Sequence, residues 1–265
     1  MKTLLITCVL FLAEFFVNAA TNGSLSDEQL LQIKFDQKLG AQISPALLFH
    51  DETGKQVRLS DYFGEKPTVL ILGYYGCPML CTLTLNGATE CFQDLKWTVG
   101  DQFDVIFVSI DPTETPQLAS EKKQDYLRIY RRGHADGWHF LTGGQISIRA
   151  LTDEVGFHYA YDSKVKQFAH PSGLVVLTSG GKVSHYFFGV TFAPDQLDAA
   201  LHDASARKIG SPIDELFLLC FHYSPLTGKY GHLVILIVRA AGVATMLAVG
   251  LVIFIPARHK PKRPS

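Results

Sequence analysis

Cys77 and Cys81 stand four residues apart in the run Tyr74-Tyr75-Gly76-Cys77-Pro78-Met79-Leu80-Cys81, directly behind the apolar stretch Thr68 to Leu72. A strand that ends in Gly and Cys-Pro and runs on into a helical pattern places the first thiol at a helix N-terminus. The partial positive charge of the helix end favours thiolate there. Pro78 suits the first helical position, where its missing N–H has no partner to lose. The second cysteine follows one turn later, so both sulfurs face the same way. Two soft ligands on one face either grip a soft metal ion or close into a disulfide. The usual redox pair has a tighter spacing, with two residues between the cysteines. The roomier loop here leaves space for a chelated ion.

Closing a metal site takes a third ligand. Among ten histidines, His170 stands out, because Phe168-Ala169-His170-Pro171-Ser172-Gly173 leads into the first strand of a late hairpin. In a fold of this element order that strand lies beside the one that carries Cys77. Two thiolates and an imidazole suit one copper ion per chain, soft enough for Cu(I) and able to hold Cu(II). Zinc in a closed structural site takes a fourth ligand. His134, His139, His158, His185, His202 and His259 have no comparable context. Cys91 falls almost opposite Cys81 on the same helix and reads as core. Cys220 and His222, in Cys220-Phe221-His222-Tyr223, offer a second copper or redox contact or a core edge, and stay outside the main site. Asp111 and Glu114 read as acid–base groups or, before Pro and at a helix start, as a cap and turn. The chain has no Gly-rich phosphate loop, no Gly-x-Ser-x-Gly elbow and no His-Glu-x-x-His.

Several elements must position these residues. Ser26 to Leu39 has a helical pattern opened by Ser26-Asp27-Glu28. Leu47 to Phe49 and Gln56 to Leu59 flank Asp51-Glu52-Thr53-Gly54 and predict a β-hairpin. Thr68 to Tyr74 is a buried strand, Thr82 to Lys96 a helix, and Phe103 to Ile110 a second buried strand. A loop at Asp111 to Pro116 starts a helix that runs to about Tyr130. Trp138 to Thr142 is strand-like and Gln145 to Gly156 helical. Gly173 to Thr178 and Lys182 to Phe188 pair around Ser179-Gly180-Gly181, and Ala193 to Ala206 closes the domain. Strands alternating with helices, then a hairpin and a helix, predict an α/β mixed sheet flanked by helices on both faces.

The two ends of the chain have a different character. Of 265 residues, 47% are apolar and 18% charged, and the apolar excess sits at the termini. Lys2, the apolar run Leu4 to Val17 and Val17-Asn18-Ala19 predict a secretory signal over residues 1–19, with Glu14 as an irregularity and Cys8 leaving with it. Leu233 to Ile255 carries the single charge Arg239 and is long enough to cross a bilayer core of about 30 Å. The basic tail at 256–265 then predicts a cytoplasmic C-terminus, with the main domain, 20–206, outside and 207–232 as connector. Four cysteines in the exported part are too few for a disulfide-stapled scaffold. Charge is nearly balanced, 24 basic against 25 acidic residues, which gives nucleic acid no electrostatic footprint.

Tyr-Tyr-x-Cys-Pro-x-x-Cys at Tyr74 to Cys81, Ser109-Ile110-Asp111-Pro112-x-Glu114-Thr115-Pro116, and the later His170 together resemble the Sco/SenC proteins. The resemblance covers roughly residues 35–206. It implies a thioredoxin-like domain tethered to the membrane, a copper chaperone for cytochrome c oxidase assembly rather than an enzyme, with copper on Cys77, Cys81 and His170. It implies as partners the copper-site subunit of a terminal oxidase and another periplasmic copper carrier or a thiol reductant. The location implied is the bacterial inner membrane, with the domain in the periplasm. Two departures stand out. Glu114 replaces the second acid of the familiar Asp-Pro-x-x-Asp-Thr-Pro segment, a change expected to matter little for copper, and the tether is C-terminal, as in a bacterial branch of the family. A thiol–disulfide reductase that keeps the oxidase cysteines reduced is the alternative function. Peroxide reduction, suggested by the fold alone, lacks an arginine close in sequence to Cys77.

Overall fold

Three apolar runs build the centre of the molecule. Thr68–Gly73 (β3) and Asp104–Ser109 (β4) are buried almost throughout, as strands covered on both faces must be. Trp138–Leu141 (β5) extends the parallel set, β4 pairing with both neighbours. The computed structural model describes residues 25–77 and 80–212, with 240–242 and 245 beyond them. On the other side of β3 lies Gly173–Leu177 (β8), antiparallel, with Leu70 opposite Val175 and Thr68 opposite Leu177. Val183–Phe188 (β9) completes a five-stranded mixed sheet in the order β5-β4-β3-β8-β9. The strand that follows His170 therefore does lie directly against the strand that leads to Cys77.

Helices cover the sheet. Leu80–Asp94 (α2) packs against both Pro116–Tyr130 (α3) and Pro194–Ser205 (α5). Thr115 caps α3, its hydroxyl accepting the Leu118 N–H at 3.4 Å, and Pro116 occupies the first turn. Gln145–Glu154 (α4) contributes Ile148 and Leu151 to the core. The predicted hairpin is Leu48–His50 (β1) with Gln56–Arg58 (β2), and its Asp51 carboxylate accepts the Thr53 and Lys55 N–H groups. Gly181, at φ +75°, makes the turn between β8 and β9.

Two elements differ from the sequence expectation. The N-terminal helix stops at Leu31: Asp27–Leu31 (α1) carries a Ser26–Gln29 capping box, and the helix does not continue to Leu39. Tertiary contacts override the helical pattern here. The Asp36 N–H donates to the Gly156 carbonyl at 2.7 Å, and the Lys38 N–H donates to the Tyr186 hydroxyl at 3.0 Å. Phe35 packs edge-on against Phe157, Tyr186 and Phe188. A second hairpin also appears, Ala160–Asp162 (β6) with Gln167–Ala169 (β7), and it ends at His170.

Among the described residues no helix is long and apolar enough to cross a membrane. The predicted signal, the run Leu233 to Ile255 apart from residues 240–242 and 245, the basic tail, and Cys220 and His222 lie outside the described residues.

Candidate metal centre

The site begins where β3 ends. Tyr74 and Tyr75 are buried, Gly76 is exposed and Cys77 is half-buried. The Cys77 N–H donates to the Tyr74 carbonyl at 3.3 Å, closing a turn over residues 74–77. Residues 78 and 79 lie outside the described residues, so the expected helix start at Pro78 does too. Helix α2 is described from Leu80 and so carries Cys81 in its first turn.

His170 reaches the same corner from the other side. Hairpin β6–β7 carries the chain to it, and β8 leaves from it beside β3. Only 8% of the residue is exposed. Its ring lies edge-on to Tyr74, centroids 5.9 Å apart, and tilted against Phe157 at 5.8 Å. Tyr74, whose ring touches the imidazole, is the residue whose carbonyl holds the Cys77 amide. The His170 Nδ1 lies 2.8 Å from the Pro171 carbonyl oxygen. A carbonyl only accepts, so Nδ1 carries a proton. An outer hydrogen bond of this kind orients a metal-binding imidazole.

A second link ties α2 to the His170 loop. The Ser172 hydroxyl donates to the Gly189 carbonyl at 2.8 Å, which spends its proton. The contact of 2.5 Å between the Thr84 and Ser172 hydroxyls therefore has Thr84 as donor. Helix α2 also comes very close to the strand-end loop: a Cβ on Gly87 would lie 1.9 Å from the Val190 carbonyl oxygen.

Glu114 belongs to this corner. Its Oε2 accepts the Tyr75 N–H at 2.8 Å and its Oε1 accepts the Gly76 N–H at 2.6 Å. The Ser109 hydroxyl donates to Oε2 at 2.5 Å. Burial pushes its carboxyl above the usual range, while these donors work in the opposite direction. Its backbone partners lie 38 and 39 residues away, so no local pattern announces the contact. Asp111 accepts the Thr113 N–H and hydroxyl at 2.8 and 2.6 Å, which is the turn reading.

The remaining candidates stand apart. Cys91 is 3% exposed, and burial pushes its thiol up to about 12, so it is a core residue. His139 lies tilted against Tyr62, centroids 4.3 Å apart. His158 meets the Asp36 carboxylate at 2.7 Å.

Comparison with known proteins bears on the family and the fold. The family model described as SCO1/SenC matches residues 36–205. A protein of Stutzerimonas stutzeri named a putative copper-binding protein is 25% identical over 134 residues, which is 49% of this chain and 60% of that protein. The chain thus spans less than two thirds of this relative's length. An Aquifex aeolicus structure described as a putative electron transfer protein superposes with a TM-score of 0.57 at 23% identity, covering 64% of this chain and 96% of that one. BsSco, whose structure is described as showing a disulfide switch in a member of the Sco family of cytochrome c oxidase assembly proteins, gives 0.52 at 22% identity, covering 66% and 99%. These two structures share the fold. Since the family model spans residues 36–205 of 265, this chain belongs to the SCO1/SenC family.

Proposed function

We infer that the chain is a copper carrier, holding one ion on Cys77, Cys81 and His170 and delivering it to the dinuclear copper site of a cytochrome c oxidase subunit. The observation that carries this reading is the His170 imidazole. It is buried against Tyr74 and its Nδ1–H is committed to Pro171, the outer hydrogen bond that orients a metal-ligating histidine. A redox pair alone has no need of such an imidazole. The copper-binding name of the Stutzerimonas stutzeri relative supports the same reading.

The donor set explains how the ion is both held and released. Two thiolates and a neutral imidazole satisfy Cu(I) without filling its shell, so an incoming thiolate has a place to bind. Cys77 is more exposed than His170, so exchange starts there. One client thiolate replaces the Cys77 sulfur and a second replaces the Cys81 sulfur, each leaving sulfur taking up the proton that the incoming thiol gives up, and the imidazole is displaced last. No bond in this sequence changes oxidation state, which makes the protein a carrier rather than a catalyst.

The apolar run Leu233 to Ile255 and the basic tail support a C-terminal anchor in the bacterial inner membrane, with the domain in the periplasm. Confinement to the client's membrane raises the effective concentration of donor and acceptor.

The test is copper content of the full chain with Cys77, Cys81 and His170 each changed in turn. The carrier reading expects one tightly held copper in the parent and at least a tenfold weaker hold in each variant. It also expects His170→Ala to keep dithiol redox cycling. A His170→Ala chain that retains parent-like copper affinity would point instead to the thiol–disulfide reductase.

A further inference from the structure

The three amides of the turn that leads into Cys77 are all committed within the fold. The Tyr75 N–H goes to Glu114 Oε2, the Gly76 N–H to Glu114 Oε1, and the Cys77 N–H to the Tyr74 carbonyl. A carboxylate from the loop after β4 thus takes two of the three.

We propose that Glu114 is the positioning residue of the Cys77 ligand: its two carboxylate oxygens fix the turn from which Cys77 is presented. The inference rests on the copper reading for its effect on metal binding, and on the geometry alone for its effect on the turn and the thiol.

The contacts are built for the task. Ser109, the last residue of β4, donates to Oε2 and so orients the carboxylate. Thr115, the next residue, caps α3 and anchors the carboxylate's own backbone. Gly76 leaves just enough space, since a Cβ there would stand 3.2 Å from Oε1. Helix capping falls to Thr115 and not to Glu114, so removing the carboxylate does not uncap α3.

An amide in place of the carboxylate keeps one acceptor and sets an NH2 group against a backbone N–H. Glu114→Asp keeps both oxygens. In the full chain, reduced and copper-free, Glu114→Gln is expected to speed hydrogen exchange at the Tyr75 and Gly76 amides at least tenfold, with exchange in β4 and α3 unchanged. Alkylation of Cys77 by iodoacetamide at pH 7, read at its own peptide, is expected to accelerate at least threefold as the turn loosens. Cu(I) affinity by chelator competition is expected to fall about tenfold, and Glu114→Asp to return all three readouts to within threefold of the parent.

Unchanged exchange and alkylation in Glu114→Gln would overturn the proposal, as would a loss of protection spread over the whole domain. Failure of the Asp variant to recover would do the same. If Glu114→Gln does not fold, Ser109→Ala carries the test, with the same directions at smaller size. A parent chain that binds no copper would end the carrier reading, while exchange and alkylation would still decide whether Glu114 positions Cys77.

Discussion

The Thr84 hydroxyl donates to the Ser172 hydroxyl at 2.5 Å, joining the helix that carries Cys81 to the loop that carries His170. Ser172 is two positions after His170, and Thr84 is three positions after Cys81. Thr84→Val keeps the shape and leaves Ser172 short of a donor. A buried hydrogen bond broken in this way costs about 1–3 kcal/mol. We expect the urea midpoint to drop accordingly and Cu(I) affinity to fall three- to tenfold. Parent-like copper affinity in the destabilised variant would show that the link serves the fold only.

Gly87 tests how closely α2 is docked. In an exposed helix, Gly→Ala stabilises by about 1 kcal/mol. Here the added methyl would meet the Val190 carbonyl oxygen at 1.9 Å, and overpacking of that kind costs about 1–3 kcal/mol. The steric effect outweighs the propensity, so Gly87→Ala is expected to lower the thermal midpoint. A rise would mean that α2 stands further from the loop.

His139 sets an acid limit on stability. Burial, helped by the Lys123 charge, lowers its pKa from 6.5 to about 4. The unfolded chain therefore binds a proton that the fold refuses. The stability due to neutral His139 is complete above about pH 6.5 and is lost as the pH falls toward 4, up to about 3 kcal/mol. His139→Phe keeps a ring against Tyr62 and is expected to flatten urea-measured stability between pH 7 and 4.5. An unchanged slope would assign the acid sensitivity to other groups.

The two described cysteines whose side chains are placed should differ in reactivity. Cys77 is half-buried, whereas burial raises the Cys91 thiol to about 12. At pH 8 iodoacetamide is expected to modify Cys77 at least a hundredfold faster than Cys91 in the native, reduced, copper-free chain. Comparable rates, read by peptide mass, would contradict a core position for Cys91.

How far the sequence could be read follows the range of each interaction. The cysteine pair and the buried strands were legible because their signals are local: a spacing, and unbroken apolar runs such as Val105 to Val108. Placing His170 beside Cys77's strand followed from element order. Hairpin β6–β7 was missed because each strand has only three residues and its turn uses Lys166 at φ +54° where a glycine or asparagine would have announced it. The overlong α1 came from a sound helical pattern that Phe35 and its aromatic partners override. The contacts of Glu114 were not legible because they reach two amides at a different strand end, which no window of sequence contains.

The central claim is that one imidazole and two thiolates share an ion, and X-ray absorption at the copper edge tests it most directly. The Cu(I)-loaded full chain is expected to show two sulfur neighbours and one nitrogen, and His170→Ala to lose the nitrogen while keeping both sulfurs. An identical nitrogen contribution in the His170→Ala chain would contradict the account.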